Sequence, residues 1–341
     1  MQNTRKKIII IEFYNFHTEC IYPQVMYLTK SGYSVEVICS TKAVNAIEYL
    51  KEYCQVITYN FEKLFSYLQL WLYLIKQKND LTIVINTAQG NRTLKFMLLP
   101  LLKKMKLFGI IHDLNKIESS KGQKLITRKI FKYLAIAEYL DNSSIAKKHK
   151  IKAINTSMFP RFNTNDIIKN DNEIWIAIPG NIEVKRRDYH WLIEVCTKHK
   201  LDQNIKFILL GNSNKGEGNE IVNSIIEWKL ENHFIWFNSF VNQDLFNSYI
   251  QKSDYLLPLL HEKSSEYLNH KISGIFSISE SFSKPMILHS NYKPLGFYYC
   301  CTFYSSTEDF INLISVKPNI DCKPFEFEKN RLKYLEVIQL T

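Results

Sequence analysis

Two sets of residues in this chain of 341 have the types and spacing that chemistry needs. The first lies in Ile174–His190, IWIAIPGNIEVKRRDYH. A short apolar strand breaks at Pro179-Gly180, a polar loop with Lys185, Arg186 and Arg187 follows, and a helix opens near Asp188. A strand, a glycine turn and cations at a helix start form a phosphate-binding arrangement. The glycine lets backbone approach, the helix N–H groups point outward, and the cations offset the anion's charge. The plain alternative is an ordinary strand-to-helix turn with a solvated basic loop. The second set is His17, Glu19, His112 and Asp113. All four fall at the carboxyl ends of expected strands, where a doubly wound sheet opens its crevice, and all can move protons. A helix cap or a hydrogen-bonded loop residue is the plain alternative for each. His190 and His261 read as surface or loop histidines.

Other chemistries lack support. Neither a D-x-D nor a P-loop occurs, which leaves a metal-dependent transferase or a nucleotide triphosphatase without a motif. The seven cysteines are odd in number and form no C-x-x-C pair, which argues against a disulfide framework or a zinc site and fits a reducing cytosol. The apolar run before Glu12 is only four residues long, too short for a signal peptide, and no apolar run is long enough to span a bilayer. The expected protein is therefore soluble or sits on a surface. Its charge is uneven. Residues 1–170 hold 26 Lys+Arg against 12 Asp+Glu, whereas residues 171–341 hold 18 against 21. The first half should face something anionic, with nucleic acid and a membrane surface as the two candidates.

The elements that must position these residues read as two similar halves. Hydrophobic content of 46% is ample for packed cores. Ile8–Ile11 suits a buried parallel strand, Ile21 to Lys30 a helix stopped by Ser31-Gly32, and Tyr33–Cys39 a second strand. Further strands are predicted at 56–59, 81–86, 109–112 and 134–137, and helices around 62–77, 91–105, 122–132 and 141–149. The polar, turn-rich residues 161–173 read as a linker. The second half then repeats the plan. Strands are predicted at 174–178, 206–210, 234–237, 255–259 and 286–289, and helices at 188–199, 219–230, 242–252 and 272–283. A C-terminal helix should run over 325–341. The domains expected are thus 1–160 and 174–324, each α/β.

The second half resembles the donor-binding domain of GT-B glycosyltransferases of the broad glycosyltransferase family 4 type. The matching segments come in that family's order: IPGNIEVKRRDYHWLIE, KFILLGNS, IWFNSFVNQDLFNSYIQKSDYLLPLL and KISGIFSISESFSKPMIL. The first half resembles the acceptor-binding domain through IIIIEFYNFHTE, LTKSGYSVEVICS and GIIHDL. The resemblance implies two Rossmann-like, doubly wound parallel-sheet domains facing a cleft, followed by a C-terminal helix. It also implies a nucleotide-sugar donor whose diphosphate is held by Gly180, Lys185 and Arg186. Ser273 and Gly274 at a helix start would help, with Lys271 beside them and Gly211 at a strand end. The Ser239–Val241 turn, with Phe240 and Val241, would read the base. Many members carry two glutamates eight positions apart at the donor loop. Here Ile272 stands eight before Glu280, so Glu280 cannot simply inherit that role. An inverting transfer needs a general base for the acceptor hydroxyl, for which Asp113, His17, Glu19 and His112 are the candidates.

The function expected is a metal-independent glycosyltransferase of the hexosyltransferase type. It would use no cofactor beyond the nucleotide-sugar substrate and would act on a glycan or polyprenyl-linked acceptor in bacterial surface polysaccharide assembly. The location expected is cytoplasmic, peripheral on the inner face of the cell membrane. Leu94–Phe108, with Lys103, Lys104 and Lys106, reads as an element that lies on an anionic membrane, or as a core helix with a solvated basic end. The rivals are a GT-B nucleotide-sugar epimerase, a non-catalytic donor-binding partner of another transferase, and a nucleic-acid-binding protein. The last lacks any recognised binding signature, and no nucleic acid is expected.

Overall fold

A computed structural model describes residues 6–77, 80–100, 105–160, 167–262, 264–296 and 300–340. The chain divides into two units. The first comprises Met1–Phe159, Asn269–Ile272 and Glu326–Thr341, and the second comprises Pro160–Leu268 and Ser273–Phe325.

In the first unit the strands are β1 (Lys7–Glu12), β2 (Ser34–Ser40), β3 (Gln55–Tyr59), β4 (Leu81–Ile85), β5 (Met105–Ile111), β6 (Lys132–Ala135) and β7 (Lys152–Ala153). Between them run α1 (Ile21–Lys30), α2 (Leu64–Ile75), α3 (Gly90–Met97), α4 (Lys121–Lys129) and α5 (Ser144–Lys148). All strands are parallel, in the order β3-β2-β1-β4-β5-β6-β7. Strand β1 lies inside the sheet, between β2 and β4, because Ile8–Ile11 can be buried on both faces, and all four are fully buried. The strand order reverses between β1 and β4, which makes the carboxyl ends of these two strands the switch point of the sheet.

The second unit repeats the design with β8 (Ile174–Pro179), β9 (Ile205–Asn212), β10 (Phe234–Phe237), β11 (Tyr255–Leu256), β12 (Met286–His289) and β13 (Cys301–Tyr304). Its helices are α6 (Tyr189–Lys198), α7 (Gly218–Glu227), α8 (Gln243–Lys252), α9 (Ser265–Asn269), α10 (Gly274–Phe282) and α11 (Thr307–Ile314). The order is β10-β9-β8-β11-β12-β13, again all parallel, with the reversal between β8 and β11.

The C-terminal helix α12 (Phe327–Val337) belongs to the first unit and packs on α1. Tyr334 is fully buried there, its ring 5.5 Å from that of Tyr27, and its hydroxyl donates to Gln24 Oε1 at 3.1 Å.

Several sequence expectations are corrected. The helix expected over 91–105 ends at Met97, and Met105 already opens β5. Pro100 disfavours helix in the residue before it, and a short apolar run such as MKLF is as good a strand as a helix by periodicity. Leu94–Phe108 is therefore not one surface element. Phe96, Met97, Met105, Leu107 and Phe108 are all buried, while Lys103 and Lys104 lie outside the described residues. Strand β13 and helix α11 had no counterpart in the sequence reading. The α11 start is nevertheless legible, since Ser306 Oγ accepts from the Asp309 N–H at 3.1 Å, three residues on. The cysteine reading also changes. Cys300 and Cys322 form a disulfide across 22 residues, a pairing made by the fold that sequence spacing does not display.

The docking of α12 yields a stability prediction. Tyr334→Phe keeps the packing and loses one hydrogen bond, so it should cost about 1 kcal/mol in urea denaturation. Tyr334→Ala leaves a cavity and should cost about 3–5 kcal/mol. Equal costs for the two would mean that the ring contributes nothing to holding α12.

Candidate functional site

The switch point of the first unit is built on a carboxylate. Glu12 ends β1, has no solvent exposure, and accepts three hydrogen bonds. Tyr14 N–H donates to Oε1 at 2.8 Å, and Asn86 Nδ2 and Thr87 Oγ1 donate to Oε2 at 2.7 Å each. Asn86 and Thr87 are the first residues past β4, so the carboxylate ties the two strand ends together. Every polar atom of Asn86 is engaged. Its amide also donates to the His17 carbonyl at 2.8 Å, and its Oδ1 accepts from Gln24 Nε2 at 2.8 Å. Its backbone N–H bonds the Ile11 carbonyl, and its own carbonyl bonds His112 Nε2 at 2.8 Å. Through Gln24 the network reaches Tyr334 on α12.

Two of the expected proton-moving residues meet here. His17 has φ +60, the left-handed region, and its carbonyl is held by Asn86. Its ring stacks on that of His112 with centroids 3.7 Å apart and planes 7° from parallel. His112 is buried. Burial, and then the neighbouring His17, push its pKa well below the ordinary imidazole value, so it stays neutral. A backbone carbonyl can only accept, so the His112 proton sits on Nε2, and Nδ1 has no hydrogen-bond partner among the described residues. The His17 ring, unlike that of His112, is partly exposed. Beside it Phe16, 47% exposed, stacks on Tyr14, over which the Arg92 guanidinium lies.

The other two candidates sit differently. Asp113 caps a single 3-10 turn, its Oδ1 accepting from Asn115 N–H at 3.0 Å. Glu19 is exposed, with Oε1 3.5 Å from His17 Nδ1.

The second unit's switch point is built on an arginine. Gly180 follows β8 with φ +99, and a Cβ there would lie 2.7 Å from an Arg187 guanidinium nitrogen. Arg187 donates to the Pro258 carbonyl, just past β11, at 3.0 Å. Its guanidinium therefore lies across the ends of both switch strands. Lys185 and Arg186 are exposed on the same loop, and Arg186 lies 3.6 Å from Glu183. Asp188 caps α6 by accepting from Trp191 N–H at 3.1 Å, and its own N–H bonds the Leu259 carbonyl. Gly211 has a packing reason. A Cβ there would lie 2.5 Å from the Gly180 carbonyl, so β9 ends directly against the Gly180 turn.

The remaining expected residues are scattered. Ser273 is the N-cap of α10 but its side chain makes no capping bond, and Gly274 next to it is exposed. Glu280 is half-buried near the end of that helix. Lys271 belongs to the first unit, where its carbonyl accepts from the Tyr139 hydroxyl at 2.6 Å. Phe240 is 85% exposed and Val241 buried.

Sequence reasoning missed Glu12, Asn86 and Thr87 and did not select Arg187. For Glu12 a signal existed, since an ionisable side chain closes a run of four isoleucines that must be buried. For Asn86 there was none, because its partners are distant in the chain.

By sequence, no family model and no curated protein matches the chain. By structure, it is similar to the HepE protein of Anabaena solved in complex with UDP, with a TM-score of 0.66, 11% identity, and coverage of 98% of this chain and 100% of that one. It is similar to a glycosyltransferase from Rickettsia africae at TM-score 0.61 and 14% identity, covering 98% and 96%. A putative UDP-N-acetylglucosamine 2-epimerase from Listeria monocytogenes follows at TM-score 0.60 and 10% identity, covering 98% of each. At these identities the likeness shows the fold. Two parallel-sheet α/β units with a C-terminal helix match the GT-B architecture, as the sequence resemblance implied.

Burial pushes the Glu12 carboxyl up from 4.5 to about 7, partly offset by its three hydrogen bonds and by His17. The native state then holds the proton more tightly than the unfolded chain does. The carboxyl's contribution to stability is full below its ordinary value and is lost as pH rises through about 7. The effect is on the order of 3 kcal/mol. Glu12→Gln should flatten the pH dependence of the urea midpoint between about pH 5 and about pH 8. A parental midpoint that climbs with pH over that range would show Glu12 to be an ordinary low-pKa carboxylate.

Proposed function

We propose that the chain is a metal-independent glycosyltransferase that moves a sugar from a nucleotide-sugar donor to a glycan or polyprenyl-linked acceptor. The observation that carries this reading is Arg187, fixed over Gly180 at the β8/β11 switch point. A leaving diphosphate needs a positioned cation and outward N–H groups, and an arginine clamped by a carbonyl and a glycine turn supplies the first without reorganising. The uncapped start of α10 at Ser273-Gly274 supplies the second. Exposed Lys185 and Arg186 add positive potential from the same loop. UDP in the Anabaena neighbour makes a uridine nucleotide the first donor class to try.

In the first unit His17 is the base. Its imidazole takes the proton of the attacking acceptor hydroxyl as the new glycosidic bond forms, and the transfer inverts the anomeric carbon. The imidazolium so formed is stabilised by the neutral His112 ring stacked on it, and its charge draws down the raised pKa of the Glu12 carboxyl, so that Glu12 ionises as His17 takes the proton. The setting we favour is surface polysaccharide assembly at the cytoplasmic face of the membrane. It is supported by the excess of positive charge in residues 1–170. Among the described residues no helix is long and apolar enough to cross a membrane.

Two measurements test the reading. In calorimetry with UDP, Arg187→Ala should weaken binding about tenfold or more, because a charge-assisted bond to an anion contributes roughly 1.5–3 kcal/mol. Unchanged affinity would remove Arg187 from the site. His17→Ala should lower turnover with a nucleotide-sugar and acceptor panel by about 10²–10⁴ while leaving UDP affinity intact. Near-parental turnover would exclude His17 as the base and move attention to Glu280 and a retaining reaction. Conversion of the donor sugar without any acceptor would instead favour the epimerase reading.

A further inference from the structure

Helix α2, LFSYLQLWLYLI, is apolar on two opposite faces, and only one of them is used. Ser66, Tyr67, Leu70 and Leu74 are buried in the core of the first unit. At about 100° per residue these four positions span one side of the helix. Leu64, Leu68, Leu72 and Phe65 fall within a second arc of similar width on the other side. There they are 70%, 40%, 40% and 64% exposed. A helix apolar all round is expected to be buried all round, so the second arc is a face made to be covered. It extends beyond α2. Trp71 Nε1 donates to the Pro100 carbonyl at 2.6 Å, tying α2 to the segment after α3, where Leu98 is 65% exposed.

We infer that this face of α2 docks the protein on an anionic lipid bilayer, with the helix lying in the interface and its outer leucines and Phe65 in the acyl boundary. Charge selects this occupant over a second copy of the chain. Exposed Lys63 and Lys76 bracket the helix, and Lys95 stands one turn before Leu98 on the exposed side of α3, while Glu62 beside Lys63 is ion-paired with Lys42 and Arg92. Helix α2 itself carries no acidic residue, and the half of the sequence to which it belongs has 26 Lys+Arg against 12 Asp+Glu. An apolar stripe rimmed by lysines attracts an anionic interface through both terms at once. Two copies joined through the same face would set lysines against lysines. The surface is thus a different element from the Leu94–Phe108 stretch that the sequence pattern singled out. The inference does not rest on the donor-binding reading.

The test is co-sedimentation of the full chain with phosphatidylcholine vesicles, with and without about one quarter phosphatidylglycerol. The parent should bind the anionic vesicles and release them as salt is raised. Leu64→Ser with Phe65→Ser, Leu68→Ser and Leu72→Ser should lower the partition coefficient at least about tenfold. Ile226→Ser with Trp228→Ser, on the exposed surface of the second unit, should change nothing. Lys63→Gln with Lys76→Gln and Lys95→Gln, which leaves the apolar face intact, should lose about tenfold or more on anionic vesicles and most of the salt dependence. Equal binding by parent and serine variant overturns the proposal, as does a parent that binds neither vesicle. A parental dimer in sedimentation velocity that the serine substitutions disperse also overturns it, because the face would then be covered by a second copy. UDP affinity measured on the same variants keeps the two readings apart. Loss of vesicle binding with UDP binding intact bears only on the surface.

Discussion

The first unit depends on a carboxylate that has nowhere else to go. Glu12 stands at the end of a strand whose other apolar residues fill the centre of the sheet, and water does not reach it. A buried charge persists only where donors replace its hydration. Three donors do so in part, one from the β1 loop and two from the β4 loop, and burial still raises the carboxyl pKa to about 7. The consequence spreads outward. Asn86 can serve Glu12 only in one orientation, and in that orientation it also grips the His17 carbonyl and Gln24. The left-handed turn at His17 and one polar contact of α12, through Gln24 to Tyr334, are thereby linked to one side chain.

The second unit meets the same topological situation with the opposite charge. Among the described residues its switch point has no buried carboxylate. A glycine turn there leaves room for the Arg187 guanidinium, which lends one hydrogen bond to the Pro258 carbonyl. An arginine offers five N–H donors, and one of them is given to that carbonyl. The two switch points thus differ in kind: in one sheet a carboxyl is saturated by its own donors, and in the other an arginine is held across the strand ends by one hydrogen bond to a carbonyl.

The outer face of α2 is a third device, set by exposure rather than by polarity. Nothing in the residue types of that helix separates its two apolar faces. Packing decides which of them becomes core and which is left exposed.

By itself the sequence determined the two doubly wound halves. Runs such as Ile8–Ile11 and Ile174–Ile178, each followed by a polar loop and a helical pattern, have few other stable uses. It placed His17 and His112 at strand ends and put cations beside Gly180, because such positions are local properties of a β-turn-α unit. It misjudged 91–108, where a short apolar run satisfies both periodicities. Only the tertiary structure decided that Glu12 meets Asn86 across 74 residues and that Tyr334 meets Gln24 across 310. Only the tertiary structure set Arg187, and neither Lys185 nor Arg186, over the glycine turn. The reason is that strand order in a parallel sheet comes from crossover packing between distant segments. Periodicity is read within a dozen residues and carries no record of which strand end will stand beside which.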